Sequence, residues 1–287
     1  MNCPTHLLAM KSIKLSILCC LLSLFTFADV SQTEKEALVS LYNATEGESW
    51  TISWNLQQPI STWHGLTIEN GKVVAINLSF NNLKGILPNS ISDLTSLRQL
   101  NLAFNRLEGE LPSSLTQLSN LVSLQLFSNN FSGQIPSNIG DLTNLTKLEL
   151  YNNNFSGSIP SSIDTLSRLE HLDLSSNQFT GTLFSNISNL KSLKFLSVFD
   201  NQFLGIIPSS IANLTQLEEL VLSNNAFYGD LPAEIAQLTK LKTLLISKNS
   251  LKGDYVALKE KLNSIVHFDF DEVNGTSDMA TLNIHND

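Results

Sequence analysis

The sequence predicts a solenoid, and three columns of residues predict it. Asn81, Asn105, Asn129, Asn153, Asn177, Asn201, Asn225 and Asn249 recur every 24 residues without insertion or deletion. Gly85, Gly109, Gly133, Gly157, Gly181, Gly205, Gly229 and Gly253 keep the same period. So does an apolar frame from Val73 through Leu97, Leu121, Leu145, Leu169, Leu193, Leu217 and Leu241. A fixed period of this length means stacked coils, each packed only on its neighbours. The 287 residues, 42% of them hydrophobic, therefore read as one elongated folded domain with a binding surface along its length.

Residues 1–28 read as a secretory signal peptide. Lys11 and Lys14 precede an apolar run from Leu15 to Leu24, and Thr26-Phe27-Ala28 offers small residues at a cleavage site. Met10 is an alternative start. The run is too short for a membrane span. Cys3, Cys19 and Cys20, the three cysteines of the chain, all lie in this segment. A chain cut after Ala28 therefore has neither disulfides nor thiolate metal sites. Losing Lys11 and Lys14 changes the formal charge from −9 to −11, which speaks against nucleic acid as a partner, since phosphates need cations.

Residues 29–72 read as an N-terminal cap, needed because a solenoid end exposes its core. Thr33-Glu34-Lys35-Glu36 has the form of a capping box, and Ala37, Leu38, Leu41 and Tyr42 follow at helical spacing over residues 33–44. Trp50, Trp54 and Trp63 then supply apolar bulk, and Asn70-Gly71 marks a turn before Val73.

Eight repeats follow over residues 73–262. In the unit Leu145-Thr-Lys-Leu148-Glu-Leu150-Tyr-Asn-Asn153, alternating Leu148 and Leu150 point into the core from a short strand. Asn153 turns the chain, and its side-chain amide is expected to satisfy backbone groups of its own coil and the next. Phe131, Phe155, Phe179, Phe203 and Phe227 form a column that should stack as a spine, with Leu83, Leu107 and Leu251 at its ends. Pro88, Pro112, Pro136, Pro160, Pro208 and Pro232 set an extended outer turn, a column broken by Phe184. Residues 263–287 read as a closing strand and a polar tail; just before them, Tyr255 to Leu262 has helical spacing.

The pattern L-x-x-L-x-L-x-x-N-x-L-x-G-x-I-P resembles the plant-type leucine-rich repeat. The cysteine-free cap, with Ala37 to Thr45 followed by Trp50, Trp54 and Trp63-His64-Gly65-Leu66, is similar to that of secreted bacterial members of this family. The resemblance implies an α/β repeat fold: a right-handed solenoid with a parallel β-sheet on its concave face.

Core positions are committed to leucine, so the residues between them are free to specify a ligand. Phe80, Phe104, Phe127 and Tyr151 form an aromatic band along the first four units, extended at the sixth by Phe195 and Phe199. Exposed aromatics in such number point to recognition of protein or stacking on sugar rings, against a bland role in strengthening the sheet. Glu149 and Asp173 should sit side by side on adjacent strands, with Lys147 and His171 beside them. Two such carboxylates could serve a retaining glycosidase, but an open face neither keeps out water nor readily raises a carboxyl pKa.

The N-x-Ser/Thr sequons largely follow from the repeat consensus, and Asp269 to Gly275 matches a calcium loop poorly because its glycine falls one place late. The expectation is an exported, noncatalytic protein without metal or cofactor. It binds a protein or peptide through Phe80, Phe104, Phe127, Tyr151, Phe195 and Phe199, with Glu149, His171 and Asp173 setting polar specificity. Binding of cell-wall or extracellular polysaccharide is the alternative.

Overall fold

The structure, a computed structural model, describes residues 30–183, 187–253, 255–262 and 264–271. The signal-peptide reading with its three cysteines, Phe184, Asn186, and the tail carrying Asn274 and Gly275 lie outside the described residues.

The coils stack as the period demands. One ten-stranded sheet runs the length of the described chain. Its first strand, Leu66–Glu69, pairs antiparallel with Lys72–Asn77 across the Asn70-Gly71 turn. Both turn residues have positive φ, 50° and 69°, the conformation a two-residue hairpin requires. From there each strand pairs in parallel with the strand 24 residues on, so Leu124, Leu148 and Leu172 stand in one row and Thr243 meets His267 at the end. Opposite this face, short parallel strands pair from Lys84–Gly85 to Gln178–Phe179, and again from Leu204–Gly205 to Ser250–Lys252.

The core lies between these layers. Leu148, Leu150, Phe155, Ile163 and Leu166 of one coil are all fully buried, and other coils repeat the set. The phenylalanine spine stacks face to face with ring centroids 6.1–6.2 Å apart. Leu83 and Leu107 continue it fully buried, whereas Leu251 is half-buried. Pro88, Pro112, Pro160, Pro208 and Pro232, at φ between −57° and −76°, each lead directly into a 3-10 turn such as Ser113–Gln117 or Ser161–Thr165.

Two local expectations are corrected. The N-terminal helix spans Gln32–Ala44 and is capped by Ser31, whose hydroxyl accepts from the Glu34 amide at 3.3 Å. The cap is thus Ser31 with Glu34, whose Oε2 accepts from the Ser31 hydroxyl, two residues earlier than Thr33-to-Glu36, because Ser31 takes the extended backbone a cap needs (φ −57°, ψ 151°). The asparagine ladder also runs the other way. Asn153 Nδ2 donates to Leu150 O and Tyr151 O of its own coil and to Leu126 O of the preceding one. Its Oδ1 accepts from the Phe131 amide, also in the preceding coil. The amide reaches back because the turn's own carbonyls and those of the coil before it converge there.

The N-terminal cap closes the stack. Trp50, Trp54 and Trp63 are buried, and Trp54 stacks on Trp63 at 4.8 Å. Each indole N–H donates to a backbone carbonyl. Asn81 bonds both the amide and the carbonyl of Ile52, so the ladder ends on the cap. At Gly85 (φ +113°) an added Cβ would lie 2.3 Å from Ala44 O; only glycine lets the first coil seat against the cap helix. The C-terminal helix Tyr255–Lys261 and strand His267–Asp269 cover the other end, with Tyr255, Leu262, Phe268 and Phe270 buried.

Candidate functional site

The strand face presents three neighbouring columns between and beyond the core leucines. The first contains Lys147, His171 and Phe195; the second contains Gln125, Glu149, Asp173 and Ser197. The third, beyond the strand, contains Phe127, Tyr151, Ser175 and Phe199.

The first four coils carry a continuous aromatic stack. Phe80 lies on Phe104 with centroids 4.1 Å apart and planes 15° apart. Phe104 meets Phe127 edge to face at 5.1 Å, and Phe127 lies on Tyr151 at 4.3 Å and 10°. Phe80 is 68% exposed and Phe104 42%, while Phe127 and Tyr151 are half-buried.

Phe80 and Phe104 sit in the left-handed backbone region, at φ 56° and 54°. Later coils place Ser128, Asn152, Ser176, Asp200, Asn224 and Lys248 at this position. A bulky aromatic there costs on the order of 1 kcal/mol. The stack thus combines exposure with backbone strain.

Phe195 and Phe199 do not continue this stack. Phe195 lies on the His171 ring, with centroids 4.2 Å and planes 8° apart. Phe199, 38% exposed, has no ring partner among the described residues. Ser175 stands between Tyr151 and Phe199 in their column, so the aromatic row is interrupted at the fifth coil. The reason is register: Phe195 belongs to the first column, four residues ahead of Phe199.

Glu149 and Asp173 are neighbours across adjacent strands, yet their surroundings differ. Glu149 is buried, and its Oε1 receives Lys147 Nζ at 3.0 Å and His171 Nε2 at 3.2 Å. Its Oε2 receives Gln125 Nε2 at 2.6 Å. Burial alone would raise its pKa; His171, Gln125 and Lys147 together outweigh that and hold it at about 2. Among the described residues, Asp173 accepts hydrogen bonds from Ser175: its Oδ1 takes the Ser175 amide at 3.0 Å and hydroxyl at 2.6 Å. Burial raises its pKa, against the opposing hydrogen bonds from Ser175. The Ser175 hydroxyl has spent its one proton on Asp173, so the Ser197 hydroxyl, 2.6 Å away, donates to it. Burial raises the Tyr151 pKa, and the charges of Glu149 and Asp173 add to the shift.

Gln125, Ser175 and Ser197 complete this network but were not singled out from the sequence. Each was locatable, since Gln125 lies one period before Glu149, and Ser197 one period after Asp173. Among the described residues no group of three or more His, Cys, Asp or Glu is placed to hold a metal ion. None of the described helices is long and apolar enough to cross a membrane. An open groove also runs on the outer side between Pro88, Pro112 and Pro136, but it is lined by scaffold residues of the repeat.

The pH dependence of stability should carry the Glu149 signature. A depressed carboxylate pKa adds stability that is fully present above the unfolded value of 4.5 and is lost as pH falls through about 2. Equilibrium urea unfolding between pH 7 and pH 2 should therefore show a steeper acid loss in the natural chain than in Glu149→Gln. Parallel curves would mean that the three donors do not hold the carboxylate ionised.

Family models described as leucine rich repeat match residues 119–179, and residues 72–94, 96–118, 192–214 and 216–238, together more than half of the chain. A probable leucine-rich repeat receptor-like protein kinase of Arabidopsis thaliana is 40% identical over 80 residues, 27% of this chain and 8% of that protein. Among solved structures, the ectodomain of the Arabidopsis receptor kinase HAESA in complex with an IDA peptide hormone ligand superposes with a TM-score of 0.75 at 30% identity, covering 83% of this chain and 41% of that one. The plant peptide hormone receptor RGFR1, in complex with RGF2, gives a TM-score of 0.64 at 36% identity, covering 66% of this chain and 30% of that one. The chain spans less than half the length of each of these proteins.

Proposed function

Because this chain belongs to the leucine-rich-repeat family and carries its plant-type repeat, we propose that it is an exported, noncatalytic recognition protein that binds an extended peptide, free or part of a larger protein, along its strand face. The observation that carries this reading is the strained, exposed pair Phe80 and Phe104 at the head of the aromatic stack. Backbone strain at exposed rings weakens the fold, and it is retained where the rings meet something else. The structural neighbours support the same class of ligand, since HAESA is described in complex with a peptide hormone ligand and RGFR1 as a plant peptide hormone receptor.

The carbohydrate reading receives less support. Phe80 with Phe104, and Phe127 with Tyr151, lie face to face at 4.1 and 4.3 Å, so each ring covers a face of its neighbour. The rings offer mainly edges and clefts, which suit apolar side chains better than the flat stacking of a sugar ring. Hydrolysis is disfavoured too, because Glu149, held ionised by three donors, is a poor proton source.

The test is an affinity capture with the full chain beside Phe104→Ala/Phe127→Ala/Tyr151→Ala. A partner peptide or protein should bind the triple variant at least about 100-fold more weakly, as expected when hot-spot aromatics are truncated. Unchanged affinity would move the binding surface off this face. Saturable binding to one glycan class that is lost in the same variant would replace the peptide by a polysaccharide.

A further inference from the structure

We propose that Asp173 is a specificity residue of the strand face, selecting an extended ligand with a cationic side chain, arginine or lysine, three or four residues from a large apolar one. The inference rests on the peptide-binding reading above and names the chemistry of the peptide.

The column that holds Asp173 supplies the first argument. In the first two coils the same position is a neutral amide doing the same structural task. Asn77 Oδ1 accepts the Ser79 amide at 3.3 Å and its hydroxyl at 2.9 Å. Asn101 Oδ1 accepts the Ala103 amide at 3.1 Å. Asp173 Oδ1 makes the matching pair of bonds to Ser175. Where the turn uses a side-chain oxygen here, a neutral one suffices, and later coils hold Val221 and Leu245 with none, so the negative charge of Asp173 is surplus to the scaffold.

The second argument is that no salt bridge engages the charge. Lys147 and His171 in the first column are both paired with Glu149, at 3.0 and 3.2 Å, and His171 acts on Asp173 only as a charge without an ion pair. Among the described residues no ion pair involves Asp173. The first two columns of the face carry Glu149, Asp173, Glu219 and Asp269 against one lysine, Lys147. A half-buried carboxylate left so placed gains most from a cation brought by a ligand.

The third argument is the company it keeps. Ser175, which bonds the carboxylate, has Tyr151 one coil before it and the exposed Phe199 one coil after it in the same column. A guanidinium or ammonium group paired with Asp173 would also lie near the ring of Phe199, which has no ring partner among the described residues. Spacing follows from the coil period. Phe127 is two strands from Asp173 and Phe104 is three, or about 10–14 Å at ~4.8 Å per strand. An extended ligand advances about 3.3 Å per residue, so three or four residues cover that span.

A random dodecapeptide phage-display library panned on the immobilised full chain tests this. Selected peptides should be enriched about tenfold or more in arginine or lysine placed three or four residues from a large apolar residue. Asp173→Asn keeps the oxygen that Ser175 needs, and it should abolish the basic preference while retaining the apolar one. Peptides selected for apolar residues without the basic one, or a basic preference that survives Asp173→Asn, would overturn the assignment of Asp173 while leaving the peptide reading in place. Absence of any enrichment, or enrichment indifferent to Phe104→Ala/Phe127→Ala, would overturn both.

Discussion

Replacing Phe179 with alanine should destabilise the protein by about 3–5 kcal/mol, the range for truncating a fully buried phenylalanine. Its ring is fully buried, with Phe155 and Phe203 stacked on its two faces at 6.1 Å each. Removing it opens a cavity that neither neighbour can fill, since each is held by its own coil. The site is central, so the loss falls on the interfaces to both adjacent coils. In a solenoid, stability is the sum of coil and interface contributions, and a broken internal interface uncouples the two ends. The urea transition, followed by far-ultraviolet circular dichroism, should move to lower concentration and broaden or split. A loss under about 1 kcal/mol would mean that the coils hold together without the ring column, contrary to what cavity formation costs elsewhere.

Asn153→Ala should cost about 2–4 kcal/mol, as expected for leaving a buried backbone donor unpaired and removing several hydrogen bonds at once. The Phe131 amide donates to Asn153 Oδ1 and has no second acceptor among the described contacts. Leu126 O and Leu150 O fare better, because each also receives the amide of an adjacent ladder asparagine, Asn129 and Asn177. The deficit therefore concentrates on one N–H in the coil before the substitution. Native-state hydrogen exchange should show that amide, and the turn around Phe131, losing protection more than the coil that carries residue 153. Symmetric loss in both coils would contradict the backward direction of the ladder.

Much of the fold was legible because a strict period turns sequence offset into spatial adjacency. Glu149 beside Asp173, and the spine from Phe131 to Phe227, follow from counting 24 residues. The N-terminal cap was legible for a different reason: its three tryptophans have no other core to enter. The capping residue was misplaced because Ser31 and Thr33 are each followed by a glutamate three residues on, and backbone geometry chose between them. The aromatic row was over-extended because Phe195 and Phe199 share a coil but not a column, so only one of them lies in line with Tyr151. Which donors serve which carboxylate could not be read from spacing at all. Lys147 and His171 lie near both Glu149 and Asp173, and the side-chain geometry gives both to Glu149.

By itself the sequence determined the architecture and the register: 24-residue coils, the buried leucine and phenylalanine columns, and the positions left free on the strand face. It could do so because every coil repeats one solution to the same packing problem. The tertiary structure decided which way the asparagines reach, which rings touch, and which carboxylate is left without a salt bridge. Those outcomes depend on competition among side chains from neighbouring coils for the same few partners. A period sets who the competitors are, but three-dimensional distances choose among them.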